Sequence, residues 1–238
     1  MPAWNINRDD DTAAGPSAAP GPVVLGDFRY RALLGAAAWQ ALRPDVRRRF
    51  GKRLAEGDST VYSGHIDETH INVTGWFLAQ FCRLIGSPLP LDRDGDGLPA
   101  VVTVTEDKGG GQFWTRLYGR RRRFPQVIHS SKRFSGPTGL EEYIGLGIGI
   151  ALGIRERDGA LIFSSNHYFM RLLGHRFKLP AWLSPGRLEV GHHDLGGGAF
   201  AFTLDLEHPV FGAQIRQKMI FRDNRTSGAG RSAADEPA

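Results

Sequence analysis

The spacing of apolar positions divides the chain in two near residue 98. Before it, apolar side chains recur every three or four residues, the period of a helix. The Ala-rich stretch Phe28 to Leu42 puts Phe28, Leu33, Leu34, Ala37 and Ala41 on a shared face and predicts one helix. Pro44 suits the first turn of a second helix, with Asp45 near its positive end and Val46, Phe50 and Leu54 as its stripe. Trp76 to Ile85 predicts a third, with Trp76, Phe77, Gln80, Phe81 and Leu84 near one face; Gly86, Pro88 and Pro90 stop it. Thr60 to Asn72 fits either a strand or an extended loop.

After Leu98 the period changes to two. Strands are expected at Val101 to Glu106, Phe113 to Tyr118, Phe124 to Ser130, Ile144 to Ile154, Leu161 to Leu172, Arg187 to His193, Phe200 to Leu206 and Phe211 to Phe221. Gly-rich turns such as Lys108-Gly109-Gly110-Gly111 and Gly196-Gly197-Gly198 separate several of them. Short connections imply hairpins, and a sheet of about eight strands tends to curl or close. The expected class is α+β: N-terminal helices packed on a curved, mostly antiparallel sheet or partly closed barrel.

One predicted strand stands out. From Ile144 to Ile154 every even position is Ile or Leu and every odd one is Gly or Ala. One face is therefore bulky and the other nearly bare backbone. Four glycines at ~1 kcal/mol each argue against a helix. Neither Gly145 nor Gly147 starts a G-x-G-x-x-G loop, because Ile150 and Leu152 stand at the sixth place. The bare face must be filled by a helix or by large aromatics from neighbouring strands, or else floor a cavity for an apolar ligand. On the second alternative Gly145, Gly147, Gly149 and Gly153 are ligand-binding candidates.

Composition sets limits. The 238 residues suffice for one substantial core. Residues 1–26 and 224–238 lack a hydrophobic period and are expected to be disordered tails around a single domain spanning 27–223. No run approaches the ~18 apolar residues of a membrane helix. No secretory signal opens the chain, so the cytoplasm is the expected location. The single cysteine, Cys82, excludes an intrachain disulfide and lies in an apolar stretch, which predicts a buried thiol.

Other motifs carry less. Asp92-Arg93-Asp94-Gly95-Asp96-Gly97 resembles half of a calcium loop, but Thr103 stands where a bidentate Glu is needed. His65, Asp67, Glu68 and His70 would alternate between faces of a strand, so no metal is expected. The net charge of +5 is concentrated in arginine clusters at 47–53 and 120–123. Both read as solvated surface, and nucleic acid is not an expected partner.

Phe28-Arg29-Tyr30-Arg31-Ala32-Leu33-Leu34-Gly35, Trp39, Leu42-Arg43-Pro44, Trp114-Thr115-Arg116, Leu179-Pro180 with Trp182-Leu183, and His208-Pro209 with Gly212 are similar to the bacterial domain-of-unknown-function family 4166. The family brings no established activity and no cofactor. Some members resemble accessory domains fused to a saccharopine-dehydrogenase-like reductase domain, which implies a reductase-like protein partner. The resemblance directs attention to Trp114, Arg116 and His208. The expected function is an accessory domain that binds an apolar, lipid-like or acyl ligand. The alternatives are an enzyme that pairs His208 or His167 with Arg116, or a partner subunit of a reductase-like protein.

Overall fold

A computed structural model describes residues 25–54 and 58–223. Of the predicted tails at 1–26 and 224–238, residues 1–24 and 224–238 lie outside the described residues. Leu25–Gly26 (β1), which the sequence assigned to the first tail, pairs antiparallel with Lys52–Arg53 (β2).

Ten strands close into one antiparallel barrel. They are β3 (Ser59–Ile71), β4 (Pro99–Glu106), β5 (Gln112–Tyr118), β6 (Gln126–Arg133), β7 (Glu141–Gly145), β8 (Ile148–Arg157) and β9 (Ala160–Leu172), followed by β11 (Arg187–Gly196), β12 (Ala199–His208) and β13 (Gly212–Asp223). β10 (His175–Lys178) pairs with the far half of β9 and stays outside the ring. Most neighbours are sequential hairpins. Two non-sequential pairings complete the circle: β13 with β3, and β9 with β11 past the outlying β10. Closure satisfies the edge strands that an open sheet would expose.

The ring corrects the count of eight at two places. The first is β3. Its apolar residues Tyr62, Ile66 and Ile71 are buried, but they stand four and five apart among polar neighbours. That spacing hides a period of two. The second is the Gly-rich stretch from Ile144 to Ile154, which is a hairpin and not one strand. Leu146 (φ 46°) and Gly147 (φ 76°) form a two-residue turn, with Gly145 opposite Ile148. Such a turn alone would exchange the two faces. Ile144, an unpaired bulge between Tyr143 and Gly145, restores the phase, so the alternation runs through the turn unbroken.

Because the strands alternate in direction, their connections fall into two sets, one at each end. Three short helices plug one end: α1 (Arg29–Leu34), α2 (Ala36–Ala41) and α3 (Pro44–Phe50). The single helix expected over 28–42 is broken at Gly35, whose φ of 80° and ψ of 160° cannot continue a helix. Leu54 falls outside α3, which ends at Gly51. Tyr30 anchors the plug, buried edge-on against Phe50, Phe134 and Phe163. Arg49 latches it. Its guanidinium reaches Asp223 at 3.2 Å and Asp194 at 3.4 Å and lies over the Phe200 ring.

At the opposite end α4 (Val73–Phe81) continues as a 3-10 turn, Cys82–Ile85, and stops at Gly86 in the left-handed region. Asn72 caps α4, its side chain accepting the Gly75 N–H at 2.7 Å. The helix docks through small residues. A Cβ on Gly75 would lie 2.2 Å from the Gln214 carbonyl oxygen. Gly75, Ala79 and Cys82 are buried, while Phe77, Phe81 and Leu84 of the predicted apolar face are exposed.

Candidate functional site

Alternate residues of each strand point into the barrel, so the pleat decides what the interior holds. β5 contributes Trp114, Arg116 and Tyr118; β6 contributes Ile128, Ser130 and Lys132. Ile150 and Leu152 of β8, Phe202 and Leu204 of β12 and Met219 of β13 supply apolar wall. They enclose a cavity in which about 120 Å³ is open to the centre of a water molecule. One water needs ~10–15 Å³ by that measure, so there is room for several waters or for the chain of an apolar ligand. Leu89, Pro90 and Pro185 close it from the α4 end, where Gln126 bonds the strap to the barrel through the Leu89 carbonyl and the Leu91 N–H. Trp114 and Phe202, edge to face at 5.9 Å, stand between this cavity and a smaller chamber of about 50 Å³ beneath the helical plug.

One patch of the cavity wall is charged. Lys132 and Glu142 are 5% and 8% exposed. Lys132 Nζ donates to Glu142 Oε2 at 3.0 Å, and Arg116 donates to Glu142 Oε1 at 3.3 Å and to Ser130 Oγ at 3.2 Å. Both cations lie near the Trp114 ring, Lys132 Nζ at 4.6 Å and the Arg116 guanidinium at 5.8 Å from its centroid. Burial alone would raise the Glu142 carboxyl; the charges of Lys132 and Arg116 outweigh it and hold Glu142 below its ordinary range. Burial lowers the Lys132 ammonium, and the Glu142 charge opposes that fall. Burial pushes the Cys82 thiol up to about 11 and raises the Tyr118 and Tyr168 phenols. These three also line the cavity and stay neutral at pH 7. The wall therefore carries two cations and one carboxylate.

A family model described as "Domain of unknown function (DUF4166)" matches residues 42–221. The chain belongs to this DUF4166 family. No curated protein and no solved structure matches it.

The fold of this DUF4166 chain sorts the residues that its sequence singled out. Trp114 and Arg116 come together in the cavity wall. Gly145, Gly147, Gly149 and Gly153 do not line the cavity. Inward lie the bulky even positions Ile144, Ile150 and Leu152, and the glycines occupy the other face. Gly149 is covered by the Phe169 ring, which is itself fully buried beneath Arg176. Gly145 meets the Ile85 carbonyl. The bare face has an aromatic cover at Gly149, while Gly147 meets the Arg171 carbonyl and Gly153 lies beside Ser164. His208 ends β12 at the turn into β13, where Nδ1 accepts the Val210 N–H at 3.1 Å and the ring stacks on Phe211.

His167 bonds Asn166 and Arg176, whereas Arg116 bonds Ser130 and Glu142, and neither His167 nor His208 lines the cavity. No convergent acid–base pair forms from the histidines proposed with Arg116. The half calcium loop and the arginine hairpin satisfy each other, since Arg120 makes two bonds to Asp92 at 2.6 and 2.7 Å. Among the described residues no group of three or more His, Cys, Asp or Glu is placed to hold a metal ion.

Lys132 and Glu142 escaped the sequence reading. A faint signal existed for Lys132, which continues the inward row of Ile128 and Ser130 at a spacing of two. A lysine in phase with buried positions predicts an interior cation. The acid that meets it lies across the neighbouring hairpin and leaves no local pattern.

Proposed function

We propose that this DUF4166 domain binds an apolar molecule bearing one anionic group, a medium-chain carboxylate, inside its barrel. The chain would lie along Ile128, Ile150 and Leu152, and the carboxylate would meet Arg116 and Lys132. The observation that carries the reading is the charge of the wall. An otherwise apolar cavity holds two cations against one carboxylate. A buried charge without a full complement is costly, and a ligand carboxylate supplies the missing counter-charge. Lys132 has three donors and Arg116 five, so Glu142 and Ser130 leave donors for a second acceptor.

Titration calorimetry at pH 7.5 with decanoate and with decanol tests this. The two ligands share a chain and differ in charge. One decanoate per chain is expected to bind at least about tenfold more tightly than decanol, equivalent to ~1.4 kcal/mol. Lys132→Met should remove most of that difference while leaving decanol binding in place. Equal affinity for both ligands, or binding of neither, defeats the proposal.

A further inference from the structure

The end of the barrel that carries α4 is also the apolar end of the molecule. α4 and its 3-10 extension turn Val73, Phe77, Phe81 and Leu84 to solvent. The turns around them add Phe124, Leu173 and Trp182, at 93%, 91% and 80% exposed, with Leu146 and Val210. Among the described residues the plugged end shows far less: Phe28, Phe113 and Leu195. Large apolar side chains protruding from separate turns on one end of a closed barrel are too concentrated to be incidental surface. They crown the same end whose strap, Leu89 and Pro90 together with Pro185, covers the cavity.

Charge selects the occupant. The connections at this end, residues 72–98, 119–125, 146–147, 173–186 and 209–211, hold eight Lys or Arg against three Asp and no Glu. All three carboxylates lie in the loop that the arginine hairpin grips: Asp92 bonds Arg120, and Arg121 bonds the Asp94 and Asp96 carbonyls. Arg122 and Arg123 are exposed beside Phe124, and Arg83 beside Leu84. Cations interleaved with protruding aromatic and aliphatic side chains match the headgroup layer of an anionic bilayer, with its acyl region beneath. A bilayer accepts apolar side chains presented on separate turns without requiring a complementary surface.

We infer that this end of the barrel docks on an anionic lipid bilayer, inserting the tips of the α4 face and of the turns bearing Phe124, Leu173 and Trp182. The inference rests on the exposed crown and its charge, and stands whether or not the cavity binds a carboxylate.

Flotation of the full chain with phosphatidylglycerol–phosphatidylcholine vesicles, and with pure phosphatidylcholine vesicles, tests it. Binding to the anionic vesicles is expected, falling about tenfold or more on pure phosphatidylcholine and again in 0.5 M salt, where surface charge is screened. The triple variant Phe124→Ser, Leu173→Ser, Trp182→Ser should lose flotation yet bind decanoate like the parent. Phe28→Ser, at the plugged end, should float normally. Failure to float with either vesicle overturns the inference. So does a sedimentation experiment in which the free chain dimerises and the triple variant does not, since the crown would then be a contact between copies.

Discussion

Replacing Glu142 by Gln separates a wall built for a ligand from one that is merely charged. The substitution keeps the shape of the side chain and removes the one carboxylate among the cavity charges. Lys132 Nζ at 3.0 Å and Arg116 at 3.3 Å are then left without a counter-charge on a wall that Trp114 and Ile128 otherwise make apolar. Breaking a buried ion pair from one side costs ~3–5 kcal/mol. The deficit should shrink at higher pH, because burial already lowers the Lys132 ammonium and the variant removes the charge that opposed this. Decanoate should restore much of the loss by standing in for Glu142. At a free concentration of 100 times its Kd, binding to the folded state alone stabilises by ~2.7 kcal/mol. Urea unfolding at 25 °C, with and without decanoate and with decanol as control, measures each quantity. Decanoate should bind Glu142→Gln more tightly than it binds the parent. A deficit below about 1 kcal/mol, against the ~3–5 of a broken buried pair, would refute the reasoning. Equal rescue by decanol would refute it too.

Three further outcomes follow from the same structure. Gly149→Ala places a Cβ 2.4 Å from the Phe169 ring, which is buried and covered by Arg176; overpacking should cost ~1–3 kcal/mol in urea unfolding, and a neutral result would mean that the ring does not cover that face. Arg49→Met removes the cation that Asp194 and Asp223 share, and since Arg48 still reaches Asp223 the cost should sit near the low end of a broken buried pair, ~3 kcal/mol; unchanged stability would show that Arg49 does not latch the plug. His192, packed among Phe50, Phe200 and Phe202, is held neutral by burial and then by the Arg49 charge. Below its ordinary pKa the unfolded chain takes up a proton that the folded chain refuses, so stability falls as pH drops from 7 to 5, by up to ~1.4 kcal/mol per unit for this residue. His192→Phe, whose larger ring can extend into the adjoining chamber, should lower that slope by about one proton. An unchanged slope would contradict a neutral buried imidazole.

The division between what the sequence discloses and what it conceals follows from the range of the interactions. The strands after residue 98 announce themselves because each carries its own alternation, and Trp114-Thr115-Arg116 displays on its face the pairing found in the cavity. β3 is obscured because one wall of the barrel is solvated there, and Tyr62, Ile66 and Ile71 alone mark its inward side. The Gly-rich hairpin misleads for a sharper reason: the bulge at Ile144 repairs the phase that the Leu146-Gly147 turn would shift. Period-two reasoning correctly separates the two faces there, and cannot say which one points inward. That depends on what packs on each face, and here Phe169, the partner of Gly149 across the β8–β9 hairpin, covers the bare one. The Lys132–Glu142 pair is invisible for the same reason, since neither residue predicts the other. The exposure of Phe77, Phe81 and Leu84 follows from a choice that helical periodicity cannot make, because α4 packs through Gly75 and Ala79.

Whether the barrel interior takes up the ligand is most directly measured by nuclear Overhauser contacts between bound decanoate and methyl groups of isotope-labelled protein. Contacts from the decanoate methylenes to the methyls of Ile128, Ile150 and Leu152 are expected, and none to Leu173 or Val210 on the outer turns. Contacts confined to Leu173, Val210 and the exposed face of α4 would contradict an internal site.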